Sequence, residues 1–175
     1  KNAGIGSTVA LRKMGIQWVV ESGAEVIIFA DADDYFAENR VEISNNILDE
    51  YDLVFNELIL TGLGLSDAVP MIRPHFSDGE VVDCARIRMA NCMGMSNTAM
   101  RVKSIPAYFD QIPDDIVAFD WPFFALCLHA GAKGVYTKRT ATYYRQHENN
   151  LASPCVFNNR QILLGVRVKR DHYKI

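Results

Sequence analysis

The chain has 175 residues, 49% of them hydrophobic and 22% charged, which suits one globular domain with a real core. Its net charge of −3 argues against a nucleic-acid surface. No apolar run in it is long enough to span a membrane and no signal peptide is visible, which leaves peripheral attachment open.

The segment from Asn2 to Ser7 reads as a glycine-containing loop, and Ser7 as a helix N-cap. Leu11, Met14 and Trp18 then fall at helical spacing, and Gly23 closes the helix in the left-handed conformation. Val26–Ala30 is a run of strand formers that leads straight into Asp31, Asp33 and Asp34. Ala37, Val41, Ser44 and Leu48 mark one face of a second helix, with Ile47 beside them. Asp52–Leu60 reads as a strand, and Thr61–Gly79 as a loop or irregular hairpin. Arg86–Met93 fits helix and strand equally. Gly94–Arg101 includes a short strand, and Pro106 and Pro113 bracket a loop.

Asp120-Trp121-Pro122 opens another helix, with Phe124, Cys127 and Leu128 on one face and Gly131 at its end. Gly134–Tyr144 is rich in β-branched and aromatic residues and reads as a strand. Residues 154–175 form a helical or extended tail rich in Arg and Lys, behind a domain spanning 1–153. Alternating strands and helices in the first half predict an α/β fold with a Rossmann-like, mostly parallel sheet flanked by helices. The less regular second half predicts a smaller mixed sheet. Cys84, Cys92, Cys127 and Cys155 show no metal-ligand spacing and read as reduced thiols of a cytoplasmic protein, most of them packing residues.

Four stretches carry chemistry. In VIIFADADDY, the carboxylates follow a buried-type strand, at the edge where open α/β sheets bind ligands. Asp31 and Asp33 can reach one cation together, and hard oxygen donors suit Mg²⁺ or Mn²⁺. For DxD alone a solvated acidic turn is the plainer reading; after VIIFA the ligand reading is preferred. A calcium loop fails, because Tyr35 and Phe36 stand where an oxygen ligand and a glycine belong. A phosphatase of the haloacid-dehalogenase type resembles strand-DxDx[TV], but Tyr35 takes the Thr/Val place. Asp120 precedes a proline in the first turn, so spacing alone favours a cap over a general base. Arg145 and His147, with Asn150 beyond, alternate at a strand end and can point the same way, toward phosphate or metal. Lys1, Arg12 and Lys13 flank a glycine loop that leads into a helix, a weak signal for an anion site. His75 and His129 are assigned nothing.

In order, these stretches resemble the family 2 glycosyltransferases of the GT-A fold. The resemblance runs through Asn2-x-Gly4, Arg12-x-x-Gly15-Ile16, Phe29-x-Asp31-x-Asp33-Asp34, Gly94-x-Ser96…Arg101, Phe119-Asp120-Trp121 and Tyr144-Arg145-x-His147-x-x-Asn150. It covers roughly residues 2–153. It implies a GT-A-like fold and transfer of a sugar, with inversion, from a nucleotide-diphosphate donor to a hydroxyl. The acceptor would be a glycan, a lipid-linked sugar or a cell-surface polymer.

By the same resemblance, Arg12, Asp31, Asp33, Asp34, Arg145 and His147 would bind the nucleotide sugar. Asp31, Asp33 and His147 would hold Mn²⁺ or Mg²⁺, and Asp120 would deprotonate the acceptor. The expected location is the cytoplasm and the inner face of the membrane. The chain departs from the pattern at Phe119, where Glu is usual, and at Lys13, where Asn is usual. The family's opening strand and base-binding elements do not precede Lys1, so the expectation is a truncated domain. Its donor site would be weak or absent, and the strand at Val26 would have an open edge for a second copy. The non-catalytic alternative is an inactive binding or assembly module.

Overall fold

A computed structural model describes residues 7–62, 69–72, 75–146 and 159–175. The first helix, α1 (Thr8–Glu21), starts where the Ser7 hydroxyl accepts from the Ala10 N–H at 3.1 Å. Gly23 follows its end at φ 76°, as the spacing predicts. The buried face is the unexpected one: it carries Val9 and Ile16, while Leu11, Met14 and Trp18 are exposed. Both faces of α1 are apolar, so periodicity alone does not say which meets the sheet.

After β1 (Val26–Ile28) the chain makes the acidic turn, a two-residue strand β2 (Tyr35–Phe36) and helix α2 (Arg40–Ile47). The buried residues are Arg40 and Ser44 of α2 and Leu48 at its C-cap; Val41 is exposed, against expectation, because Arg40 takes the inward place. The long central strand β3 (Leu53–Gly62) follows, with β4 (Val69–Pro70) folded back against it as the predicted irregular hairpin. Next come β5 (Val81–Val82) and α3 (Cys84–Met89), so the first half of Arg86–Met93 is helix and the rest is neither helix nor strand. The Asp83 carboxylate caps α3, accepting from the Arg86 N–H at 2.8 Å. Then come β6 (Thr98–Arg101), α4 (Asp120–His129), β7 (Gly134–Gln146) and α5 (Asn159–His172).

The sheet corrects the mostly parallel expectation. Its backbone order is β1-β6-β3-β7-β2, and β3 with β7 is its one parallel pair among the described residues. β1 and β3 do run the same way, as a strand–helix–strand unit requires. However, β6 inserts between them antiparallel to both, pairing Ile27 with Met100 and Val54 with Ala99. The separate small sheet predicted for the second half does not form; β5, β6 and β7 all join this one sheet. β1 lies at the sheet edge among the described residues.

The larger core lies on one face of the sheet. Phe29, Phe109, Phe119, Phe123 and Phe124 pack edge-on or stacked there, and Phe55, Phe76 and Tyr136 form a second aromatic group. The other face carries a smaller cluster of Leu48, Val54, Ala99 and Val135. Cys92 and Cys127 are buried packing thiols whose burial pushes their pKa values up to about 11 and about 12. Cys155 lies outside the described residues.

β3 ends at Gly62, where φ is 104° and an added Cβ would stand 2.7 Å from the Gln146 carbonyl oxygen. Gly62→Ala is therefore expected to destabilise the fold by about 1–3 kcal/mol, read as a lower midpoint in urea with an unchanged slope.

Candidate functional site

The site forms where β1 leaves the sheet. The Phe29 N–H still pairs with the Thr98 carbonyl at 3.1 Å, and the chain then turns, closing an Asp34 N–H to Asp31 carbonyl bond at 3.2 Å. Two buried groups hold this turn. From α2, Arg40 donates to the Phe29 carbonyl at 2.7 Å and to Asn56 Oδ1 at 3.2 Å, with its guanidinium 4.5 Å from the Phe36 ring centre. Burial lowers the Arg40 pKa to about 10, against the pull of Asp34, so it stays a cation at neutral pH.

The second group is Asp34. It accepts from the Ser96 hydroxyl and, at 3.0 Å, from the Arg145 backbone N–H. Burial raises its pKa, these two donors lower it, and the charges of Asp33 and Asp31 raise it further. Asn56 donates to Thr142 Oγ1 at 3.0 Å, and Thr142 donates to the Ser96 carbonyl at 2.9 Å. A buried network thus joins the acidic turn to β3, β7 and the loop before β6. Three adjacent acids have different fates: Asp34 faces inward and is spent on the fold, while Asp31 and Asp33 are only part-buried.

Arg12 reaches Asp31 from α1, with 3.5 Å between Nη2 and Oδ1. Beside this pair, α1 and β1 enclose a groove of about 390 Å³, lined by Arg12, Ile16, Trp18, Phe29, Asp31 and Met95. Asp120 comes from a third element. It is not the cap of α4: that position is Phe119, which makes no side-chain cap bond. Asp120 is instead the first residue of the helix and accepts on Oδ1 from its neighbour's N–H, that of Trp121, at 2.9 Å.

The other carboxylate oxygen of Asp120 faces Gly94, where an added Cβ would stand 3.6 Å away. Burial raises the Asp120 pKa well above the usual carboxylate range; the Arg12 charge, the Trp121 N–H and a hydrogen bond from Asn91 pull it down, and Asp31 pushes it up. The charges of Arg12 and Asp31 therefore both reach Asp120, although 108 positions separate Arg12 from Asp120 in the chain.

The remaining predicted residues divide. Arg145 lies beside the acidic turn, its guanidinium 5.6 Å from the Tyr35 ring centre and 3.5 Å from the Tyr35 hydroxyl. Lys13 does not serve an anion site; it donates to Asp114 at 2.6 Å and to the Asp110 carbonyl at 2.8 Å. Lys1, His147 and Asn150 lie outside the described residues. Among the described residues, no three His, Cys, Asp or Glu side chains group to hold a metal ion. Sequence reasoning missed Arg40, Asn56 and Asn91. For Arg40 a signal existed, since it stands in register with Ser44 and Leu48 on the buried face.

No protein-family model and no curated protein sequence matches the chain. Among solved structures it is similar to the crystal structure of S. aureus TarS 1-349, with TM-score 0.59 and 14% identity over 100% of this chain and 54% of that one. The chain thus spans about half the length of that structure. At this identity the likeness establishes the fold alone, an α/β architecture built on a mixed sheet.

Proposed function

We propose that this chain carries the catalytic cleft of a metal-dependent glycosyltransferase. It would move a sugar from a nucleotide-diphosphate donor to a hydroxyl on a glycan or lipid-linked sugar, inverting the anomeric centre. The observation that supports this most is that Arg12 and Asp31 pair beside the strand exit and that both of their charges reach Asp120 on a third element. The glycosyltransferase-like fold supports the same reaction class.

Asp120 has the chemistry of a general base. A carboxylate held in a desolvated place is a stronger base than one on the surface, and it would take the proton of the acceptor hydroxyl as that oxygen attacks. The helix N-terminus stabilises its ionised form. Arg12 offers a fork of donors to the departing diphosphate. Asp31 and Asp33 fit a hard cation, because Mg²⁺ and Mn²⁺ are commonly held by one or two carboxylates plus phosphate oxygens and water. That ion would neutralise charge on the leaving group. Arg145, and His147 beyond the described strand, would steady the diphosphate. The buried Asp34 would set the shape of the turn rather than touch the donor.

Calorimetric titration with UDP, GDP and their sugars, with and without Mn²⁺, tests the reading. Metal-dependent binding of one nucleotide is expected, with loss of at least tenfold in affinity for Asp33→Ala, about the energy of one strong charge-assisted contact. Equal binding by the variant would remove Asp33 from the metal site.

A further inference from the structure

The outward face of α5 has no described partner. Ile162, Leu163 and Val166 are 56%, 69% and 60% exposed, in the middle of a helix whose inward side packs Val168 against the core and stacks His172 on Trp121 at 4.1 Å. At 100° per residue, Ile162 and Val166 lie one turn apart on the outward side, with Lys169 along one flank and Leu163 and Arg170 along the other. A side chain added at Gly165 would meet nothing within 4 Å.

The charge on this helix is one-sided. α5 carries Arg160, Arg167, Lys169 and Arg170 against the single acid Asp171, in a chain of net charge −3. Asp171 is buried and accepts from Arg170 at 2.7 Å, with Arg167 at 3.6 Å, yet both arginine side chains keep about half of their surface exposed. An exposed apolar stripe bordered by cations, with no acid of α5 itself on the outer side, is the pattern of a helix that lies in the plane of a bilayer surface. Apolar side chains enter the acyl boundary, and the cations meet anionic headgroups. A second copy is a poor occupant, because a twofold contact would set one basic border against another.

We infer that the outward face of α5, through Ile162, Leu163 and Val166 and their basic flanks, docks on an anionic phospholipid surface. The helix is about 21 Å long at 1.5 Å per residue, so it offers a line of contact rather than a span. Its inner end stacks on Trp121, next to Asp120, so a bilayer gripping α5 would lie close to the element that carries the candidate base. The inference does not rest on the glycosyl-transfer reading.

Flotation of the full chain with vesicles tests it, using phosphatidylcholine alone and phosphatidylcholine mixed with phosphatidylglycerol. The expected result is co-flotation with the anionic vesicles only, reversed by high salt. Lys169→Glu should weaken that binding roughly 25-fold, since each basic residue near such a surface counts for about a factor of five and the change reverses a charge. The double change Ile162→Ser with Val166→Ser should weaken it at least as much. Matching thermal melts of the wild type and both variants would show that folding is intact. Failure to float with anionic vesicles overturns the proposal, as does flotation that neither variant weakens. A concentration-dependent dimer abolished by Ile162→Ser with Val166→Ser would assign the face to a second copy and overturn it too. None of these outcomes bears on nucleotide titration, so the two readings fail separately.

Discussion

Asp120→Asn is expected to lower kcat/KM for glycosyl transfer by roughly 10²–10⁴-fold, the range that a positioned general base supplies, with donor binding close to unchanged. The Asn side chain keeps the Trp121 N–H bond and the shape of the cleft but cannot take a proton. For the wild type, kcat/KM should rise with pH through a midpoint above the ordinary carboxylate value, because burial raises the Asp120 pKa and the base must be ionised. Arg12→Gln removes the charge that opposes this rise, so the acid limb should move to higher pH; Asp31→Asn removes a neighbouring anion and should move it to lower pH.

Stability gives a second readout of opposite sign. A carboxyl whose folded pKa is raised holds its proton longer in the native than in the unfolded chain. Stability therefore falls as pH climbs from the unfolded value through the folded one. At neutral pH Asp120→Asn no longer buries that charge, so its melting temperature should equal or exceed that of the wild type. The difference should vanish in strong acid. An inactive variant that is also unstable at neutral pH would argue for a structural Asp120 instead.

Arg40→Ala should be the most damaging single change to the fold. It strips donors from the Phe29 carbonyl and Asn56 Oδ1, removes the cation over Phe36, and leaves a void under α2. Loss of a buried, hydrogen-bonded charge costs about 3 kcal/mol, which for a domain of this size lowers the melting temperature by roughly 10 °C. Arg40→Lys should rescue little of it, since an ammonium cannot make both bonds from one plane. Because the Phe29 carbonyl is the last fixed point before the acidic turn, the same variant should also weaken nucleotide binding. A melt within 2 °C of wild type (roughly the shift for under 1 kcal/mol) would show that the sheet alone positions this turn.

Local features of the chain are legible in the amino-acid sequence by itself. Ser7 starts a helix and Gly23 ends it because capping and left-handed φ are decided by single residues. The run VIIFA gives a strand, and its abrupt change to carboxylates marks a strand exit, a pattern written in adjacent side chains. The same adjacency places Asp31 and Asp33 at an edge of the sheet.

Tertiary structure decided what depends on distant neighbours. β6 slips between β1 and β3, and no local pattern states which strand will be beside which. Leu11, Met14 and Trp18 have the same spacing as a buried face, but Val9 and Ile16 meet the core. Asp34 and Asp33 are identical neighbours; only Ser96 and the Arg145 N–H, 62 and 111 positions away, make one of them structural. Arg40 reads as a surface cation until Phe29 and Asn56 supply its acceptors. Caps, turns and periodicity are set within a few residues. The pairing of strands and the burial of charge are set by contacts that exist only once the whole chain has folded.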